Sequence, residues 1–240
     1  MKKMGLTFIY LWLISLCSCQ KELIEYEKGD VKIRIEQGEE WLHDFPLFLG
    51  INKKNPPQIA IWLEDVQGNY LSTVYVTHKI ATQSWQASGG NRRKEALPYW
   101  CYSRGVKYND GLYLPTKKEP LTDGISGATP QGSFDVKLNP ASTLKQFIVK
   151  IEINHSTDFN EAFPKSAKEG EANYSGGKEG SGQPAIVYAA NIDLSTGKKS
   201  FDATLIGHSS PDGSSGGINE DVSGLTTALQ IVKHITVNIQ

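Results

Sequence analysis

Several stretches of this chain alternate apolar and polar residues with a period of two, and that pattern commits it to half-buried β-strands. Residues 30–37 carry Val31, Ile33 and Ile35 on one face and Lys32, Arg34 and Glu36 on the other. Residues 58–66 repeat the pattern with Ile59, Ile61 and Leu63, while Trp62 adds bulk to the opposite face. The turn Gln67-Gly68-Asn69 leads into residues 70–78, rich in β-branched and aromatic side chains, so the two segments read as a hairpin. Residues 133–138 form a short strand, and residues 146–155 a long one that sets Phe147, Val149, Ile151 and Ile153 against Lys150, Glu152 and Asn154. Residues 185–194 are nearly all apolar, which predicts a central strand covered on both faces. Residues 193–197 turn the chain into a strand over 200–207, and residues 229–239 place Ile231, Ile235, Val237 and Ile239 on one face. About eight strands with little helical periodicity predict an all-β sandwich with long connecting loops. One or two helical turns are expected within residues 79–96.

Residues 1–18 read as an export signal. Lys2 and Lys3 precede an apolar run from Leu6 to Leu16, the charged and apolar regions of a secretory leader. The run is shorter than the roughly 20 residues that span a bilayer. It ends in Leu16-Cys17-Ser18-Cys19, which resembles the lipobox of bacterial lipoproteins. That resemblance implies cleavage after Ser18, acylation of Cys19 and a lipid-anchored protein of the cell envelope, periplasmic or associated with the outer membrane. Residues 19–29, charged and without apolar pattern, are expected to be a tether, and residues 30–240 a single domain. Cys17 then leaves with the signal and Cys19 is taken by lipid, so Cys101 has no disulfide partner and stability must come from packing. The remaining 222 residues are enough for one sizeable core. The formal charge of −1 becomes −3 without Lys2 and Lys3, which disfavours nucleic acid and leaves the lipid to hold the protein at a membrane.

Asp123-Gly124-Ile125-Ser126-Gly127-Ala128-Thr129 is the most specific string in the chain. It resembles the Asp-x-x-Ser/Thr-Gly-Ala-Thr motif of proteins that carry covalent flavin mononucleotide (FMN). In that family a periplasmic flavin transferase moves FMN from FAD onto the terminal Thr hydroxyl as a phosphoester. The resemblance implies Thr129 as the attachment residue, Ser126, Gly127 and Ala128 as the recognition string, and Asp123 as its acidic start. The residue types suit the chemistry. A hydroxyl is a weak nucleophile until activated, and small neighbours let it enter another enzyme's active site. Pro130 departs from the family pattern, in which Ser or Thr follows the Thr. Residues 123–132 also fit a Gly/Pro-rich β-connection whose residues simply meet turn dihedrals. Residues 57–65, residues 123–134 and Gly182-Gln183-Pro184 further resemble a periplasmic domain family of unknown function, found near flavin-transferase and haem-linked membrane reductase genes. That likeness would cover residues 56–240 and implies an immunoglobulin-like β-sandwich associated with extracytoplasmic redox systems.

Other constellations are weaker. His43, His78, His155, His208 and His234 lack zinc-site spacing, and Asp212, Asn219, Glu220 and Asp221 share a loop without EF-hand order, so no metal site is expected. Glu152, Asp158 and Glu161 offer carboxylates whose separation no spacing can fix. Residues 92–121, 165–183 and 209–224 are long connections of the kind that carry function. The first, with Tyr99, Trp100, Tyr102, Tyr108 and Tyr113, is where a hydrolase site would lie. Cys101 reads as a packed thiol. Trp62, Trp85, Trp100 and the nearby Tyr residues read as core or loop packing, from which some rings could stack on a flavin if one were bound. The chain is therefore expected to be an electron-transfer component with FMN on Thr129, served by a periplasmic flavin transferase and by membrane redox proteins. It reads as a redox carrier rather than a hydrolase. The alternative is a non-catalytic ligand- or protein-binding sandwich of the envelope.

Overall fold

A computed structural model describes residues 22–24, 30–46, 52–85, 92–121, 124–140 and 143–240. The expected signal, Cys19, most of the tether and Asp123 lie outside the described residues. Among those described, the strands in chain order are β1 (Glu22–Ile24), β2 (Val31–Gln37), β3 (His43–Pro46), β4 (Asn52–Asn55), β5 (Gln58–Glu64), β6 (Tyr70–Thr77), β7 (Ser126–Gly127), β8 (Phe134–Leu138), β9 (Gln146–Asn154), β10 (Ile186–Asp193), β11 (Ser200–Asp202), β12 (Thr204–Ser209), β13 (Ile218–Asn219) and β14 (Val232–Ile239). Two short helices, α1 (His78–Thr82) and α2 (Pro98–Ser103), follow β6. One sheet has the order β1-β8-β2-β14-β11, the other β13-β12-β10-β9-β5-β6-β7, and β3 and β4 pair as a separate ribbon. The fold is all-β, a sandwich of these two sheets.

The alternating faces explain the first core. Val31, Ile33 and Ile35 of β2 join Phe134, Val136, Ile235 and Val237 from the five-stranded sheet. Ile59, Ile61, Phe147, Val149, Ile151 and Ile153 meet them from the seven-stranded sheet. Each such side chain contributes roughly 1.5–3 kcal/mol by leaving water. The β5–β6 hairpin turns as its sequence predicts: Asp65 Oδ1 accepts from the amides of Gln67 at 2.9 Å and Asn69 at 2.8 Å, and Gly68 takes a φ of +84°.

A second core lies on the outer face of the larger sheet. Ala60, Trp62 and Val76 are covered there by Ile80 and Ala81 of α1, by Trp100 and Cys101 of α2 with Leu97 just before it, and by Trp85 and Leu114. Every residue of β5 is consequently buried, although its alternation predicts one buried face. α1 falls within the stretch expected to contain helical turns, and α2 begins just beyond it. Pro98 starts α2 at a position where a missing N–H costs nothing, and Leu97, Trp100 and Cys101 point inward at i, i+3 and i+4. The aromatic stretch is thus a lid over the sheet. β10 is an interior strand, buried at Ile186 and Val187, but it exposes Asn191 towards its far end.

Candidate functional site

The motif forms the outer edge of the seven-stranded sheet. Ser126 and Gly127, as β7, lie parallel to β6 opposite Val76 and Thr77, and the Val76 amide donates to the Ile125 carbonyl at 3.0 Å. Both flanks of this segment are held. At the first, Gly124 packs so closely on Thr73 that an added Cβ would stand 2.6 Å from the Thr73 Cβ. At the second, the Tyr75 hydroxyl donates to the Ala128 carbonyl at 2.7 Å, and the buried Trp41 indole donates to the Pro130 carbonyl at 3.2 Å. Pro130, the departure from the family pattern, is buried and serves as this second anchor.

Between the anchors the side chains face outward. Ser126 and Ala128 are exposed, and Gly127 and Thr129 are half-buried. The hydroxyls of Ser126 and Thr129 make no hydrogen bond among the described residues. Four of the five expected motif positions, Ser126, Gly127, Ala128 and Thr129, thus share one short edge segment, and Asp123 lies outside the described residues.

Beside this edge opens a groove of about 560 Å³ that the sequence does not announce. It is walled by Leu71 and Val74 of β6, Ile125 of the motif, Lys137 and Leu138 of β8, and Leu144 of the β8–β9 connection. It bridges the two sheets, because β7 pairs only with the last two residues of β6 and leaves the first half of that strand without a strand partner on this side. Leu71 and Ile125 remain 43 % and 39 % exposed. The available sequence signals were Leu71, an apolar residue in the outward register of its strand, and Ile125, the apolar position inside a small-residue motif.

The remaining candidates are committed to structure. Glu152 is fully buried beneath α2, where its carboxylate accepts from the amides of Trp100 at 2.7 Å and Tyr99 at 3.2 Å. Burial pushes its pKa up to about 8, against the pull of those two amides and the Ser209 hydroxyl. Asp158 is buried elsewhere and accepts from the Thr227 hydroxyl at 2.6 Å, and Glu161 is exposed, so the three carboxylates form no acid–base pair. The rings of His43 and His155 meet at 5.2 Å, and His155 bonds the Glu40 carbonyl at 2.9 Å through Nε2. Burial lowers the His155 pKa to about 4. Asp212 and Asp221 accept from Ser214 and Ser223 within their own loops. Among the described residues no His, Cys, Asp or Glu side chains converge as a metal-holding group.

The hydrolase reading of residues 92–121 meets a cavity of about 420 Å³ lined in part by Arg92, Arg93, Glu95 and Glu179. Arg93 pairs with Glu95 at 2.8 Å and Arg92 with Asp110 at 2.6 Å, so these charged groups are engaged with one another. Cys101 is buried, and burial raises its thiol pKa. Trp62, Trp85 and Trp100 are buried packing residues, as expected. Trp62 and Trp100 are fully buried, and the Arg93 guanidinium lies over the Trp85 ring at 4.7 Å. Comparison of the chain with protein-family models, with curated proteins and with solved structures returns no match.

Proposed function

We propose that this chain is a lipid-anchored, extracytoplasmic electron-transfer component that carries FMN on Thr129. The observation that carries the reading is the state of Thr129: a half-buried residue on an outer sheet edge, with small neighbours and a hydroxyl bonded to nothing among the described residues. Flavin transfer asks for such a group. The Thr129 Oγ would attack the FMN phosphorus of FAD, the bond to the AMP half would break, and AMP would leave as the hydroxyl proton passes to a base of the transferase. Bound FMN supplies one- and two-electron transfer. The chain's own residues hold the attachment segment: Thr73 against Gly124, Tyr75 on Ala128 and Trp41 on Pro130 fix its flanks. The resemblances of residues 16–19 and of the motif supply the compartment and the partner classes, a periplasmic flavin transferase and membrane redox proteins.

The groove beside the edge favours a second reading, a non-catalytic ligand- or protein-binding module of the envelope. Intact mass separates the two. After co-expression with a flavin transferase, the mature chain should gain the mass of one FMN and give a fluorescent band in a denaturing gel. Thr129→Ala should abolish both. A chain that gains no FMN increment and no fluorescence leaves the binding-module reading in possession.

A further inference from the structure

We infer that the groove between β6 and β8 seats the isoalloxazine ring of the FMN carried on Thr129; this rests on the attachment proposed above. Ile125 belongs to both the motif and the groove wall. Thr129 follows four residues later, within about 14 Å along an extended backbone. Leu71 and Ile125 leave large apolar surfaces in water at the groove mouth, and Val74, Leu138 and Leu144 continue its wall into the core between the sheets. Exposed apolar surface concentrated at a concavity marks a ligand site. Lys137 adds a cationic side chain to this wall. A planar ring with one polar edge matches a slot whose walls are mainly aliphatic, with Ser72, Thr73, Asn139 and Thr143 supplying hydrogen-bonding groups.

The volume of about 560 Å³ lies within the range of small-molecule sites. The groove is open on one side, which suits a tethered ligand better than a free one. A short tether holds its ligand at millimolar effective concentration, so weak seating suffices. The same geometry explains why the buried tryptophans are not needed: apolar aliphatic walls sandwich the ring instead.

The test uses the flavinylated full-length protein, with intact mass confirming the label, and measures iodide quenching of flavin fluorescence and the induced circular dichroism of the flavin bands. A seated ring, with at least 70 % of its surface covered, should be quenched about threefold less steeply than free FMN. Leu71→Asp places a carboxylate in the mouth at a position already 43 % exposed. It should carry the same label, quench like free FMN and lose the induced dichroism. Val66→Asp, 52 % exposed and outside this groove, should behave as wild type. A labelled wild-type protein that quenches like free FMN overturns the seating and leaves the attachment standing, as does a labelled Leu71→Asp protein that stays shielded. A wild-type protein with no label overturns the attachment, and the seating with it.

Discussion

Glu152 offers the most quantitative test of how the lid packs. It sits near the end of β9 with no exposure, and two amides from the start of α2 close on its carboxylate. Burial raises its pKa from an ordinary 4.5 to about 8. The sign of the linkage follows. Between those values the folded chain holds a proton that the unfolded chain has released, so stability falls as pH rises. The contribution is complete below about pH 4.5 and is lost as pH rises towards 8. At 1.36 kcal/mol per unit, the loss between pH 5 and pH 8 is about 3 kcal/mol. Glu152→Gln removes this titration. It also turns an amide NH₂ towards one of the two backbone N–H donors, a cost of about 1–3 kcal/mol that does not vary with pH. Urea denaturation of both proteins at half-unit steps from pH 5 to pH 8 gives the difference in unfolding free energy. That difference, wild type minus variant, should fall by about 3 kcal/mol as pH rises through the window. A difference constant to within about 0.5 kcal/mol would refute the reasoning, because Glu152 would then ionise as if solvated.

Two further outcomes follow from buried contacts. His155, with its pKa lowered to about 4 by burial and by the neighbouring His43, is neutral in the fold. Its contribution is present above about pH 6.5 and is lost as pH falls towards 4, up to about 3 kcal/mol, so His155→Gln should flatten the acid limb of the stability profile. Denaturation midpoints between pH 4 and pH 7 check this, and an unchanged limb counts against it. Gly124→Val should lower stability by about 1–3 kcal/mol, because the new side chain would collide with Thr73 and lift the motif from β6. A thermal melt at wild-type temperature would show that the contact yields freely.

The sandwich was legible because most of its strands bury one face, and a one-faced strand writes its period into the sequence. Val31, Ile33 and Ile35 of β2, and Phe147 through Ile153 of β9, are readable on that ground alone. The second core was not readable. Lys150 and Glu152 look like a solvent face, and only the lid makes them interior. α2 is six residues long, too short for its spacing to stand out within an aromatic, Pro- and Gly-containing stretch. The groove is less visible still, since it joins Leu71 to Leu138 and Leu144 across two sheets, and no local pattern records which strands lie side by side. The motif was legible as a string. Its position on a sheet edge was not, because β7 is two residues long and its pairing is made by backbone alone.

That edge position bears on the choice between an attachment segment and a plain turn. Several turns among the described residues close on their own polar side chains. Asp65 accepts from Gln67 and Asn69, Asp193 from Ser195, Asp212 from Ser210 and Ser214, and Asp221 from Ser223. In each case a carboxylate satisfies amides or hydroxyls that the turn would otherwise leave open. The segment from Ser126 to Thr129 is built differently. Among the described residues its polar side chains make no hydrogen bond, and it is fixed from outside by Tyr75 on the Ala128 carbonyl, Trp41 on the Pro130 carbonyl and Thr73 against Gly124. Holding a segment by its backbone leaves its hydroxyls for another molecule, whereas a turn that existed only to reverse the chain would gain stability by using them. The economy of the other loops therefore weighs towards Thr129 being kept open for chemistry, and the intact-mass experiment decides it.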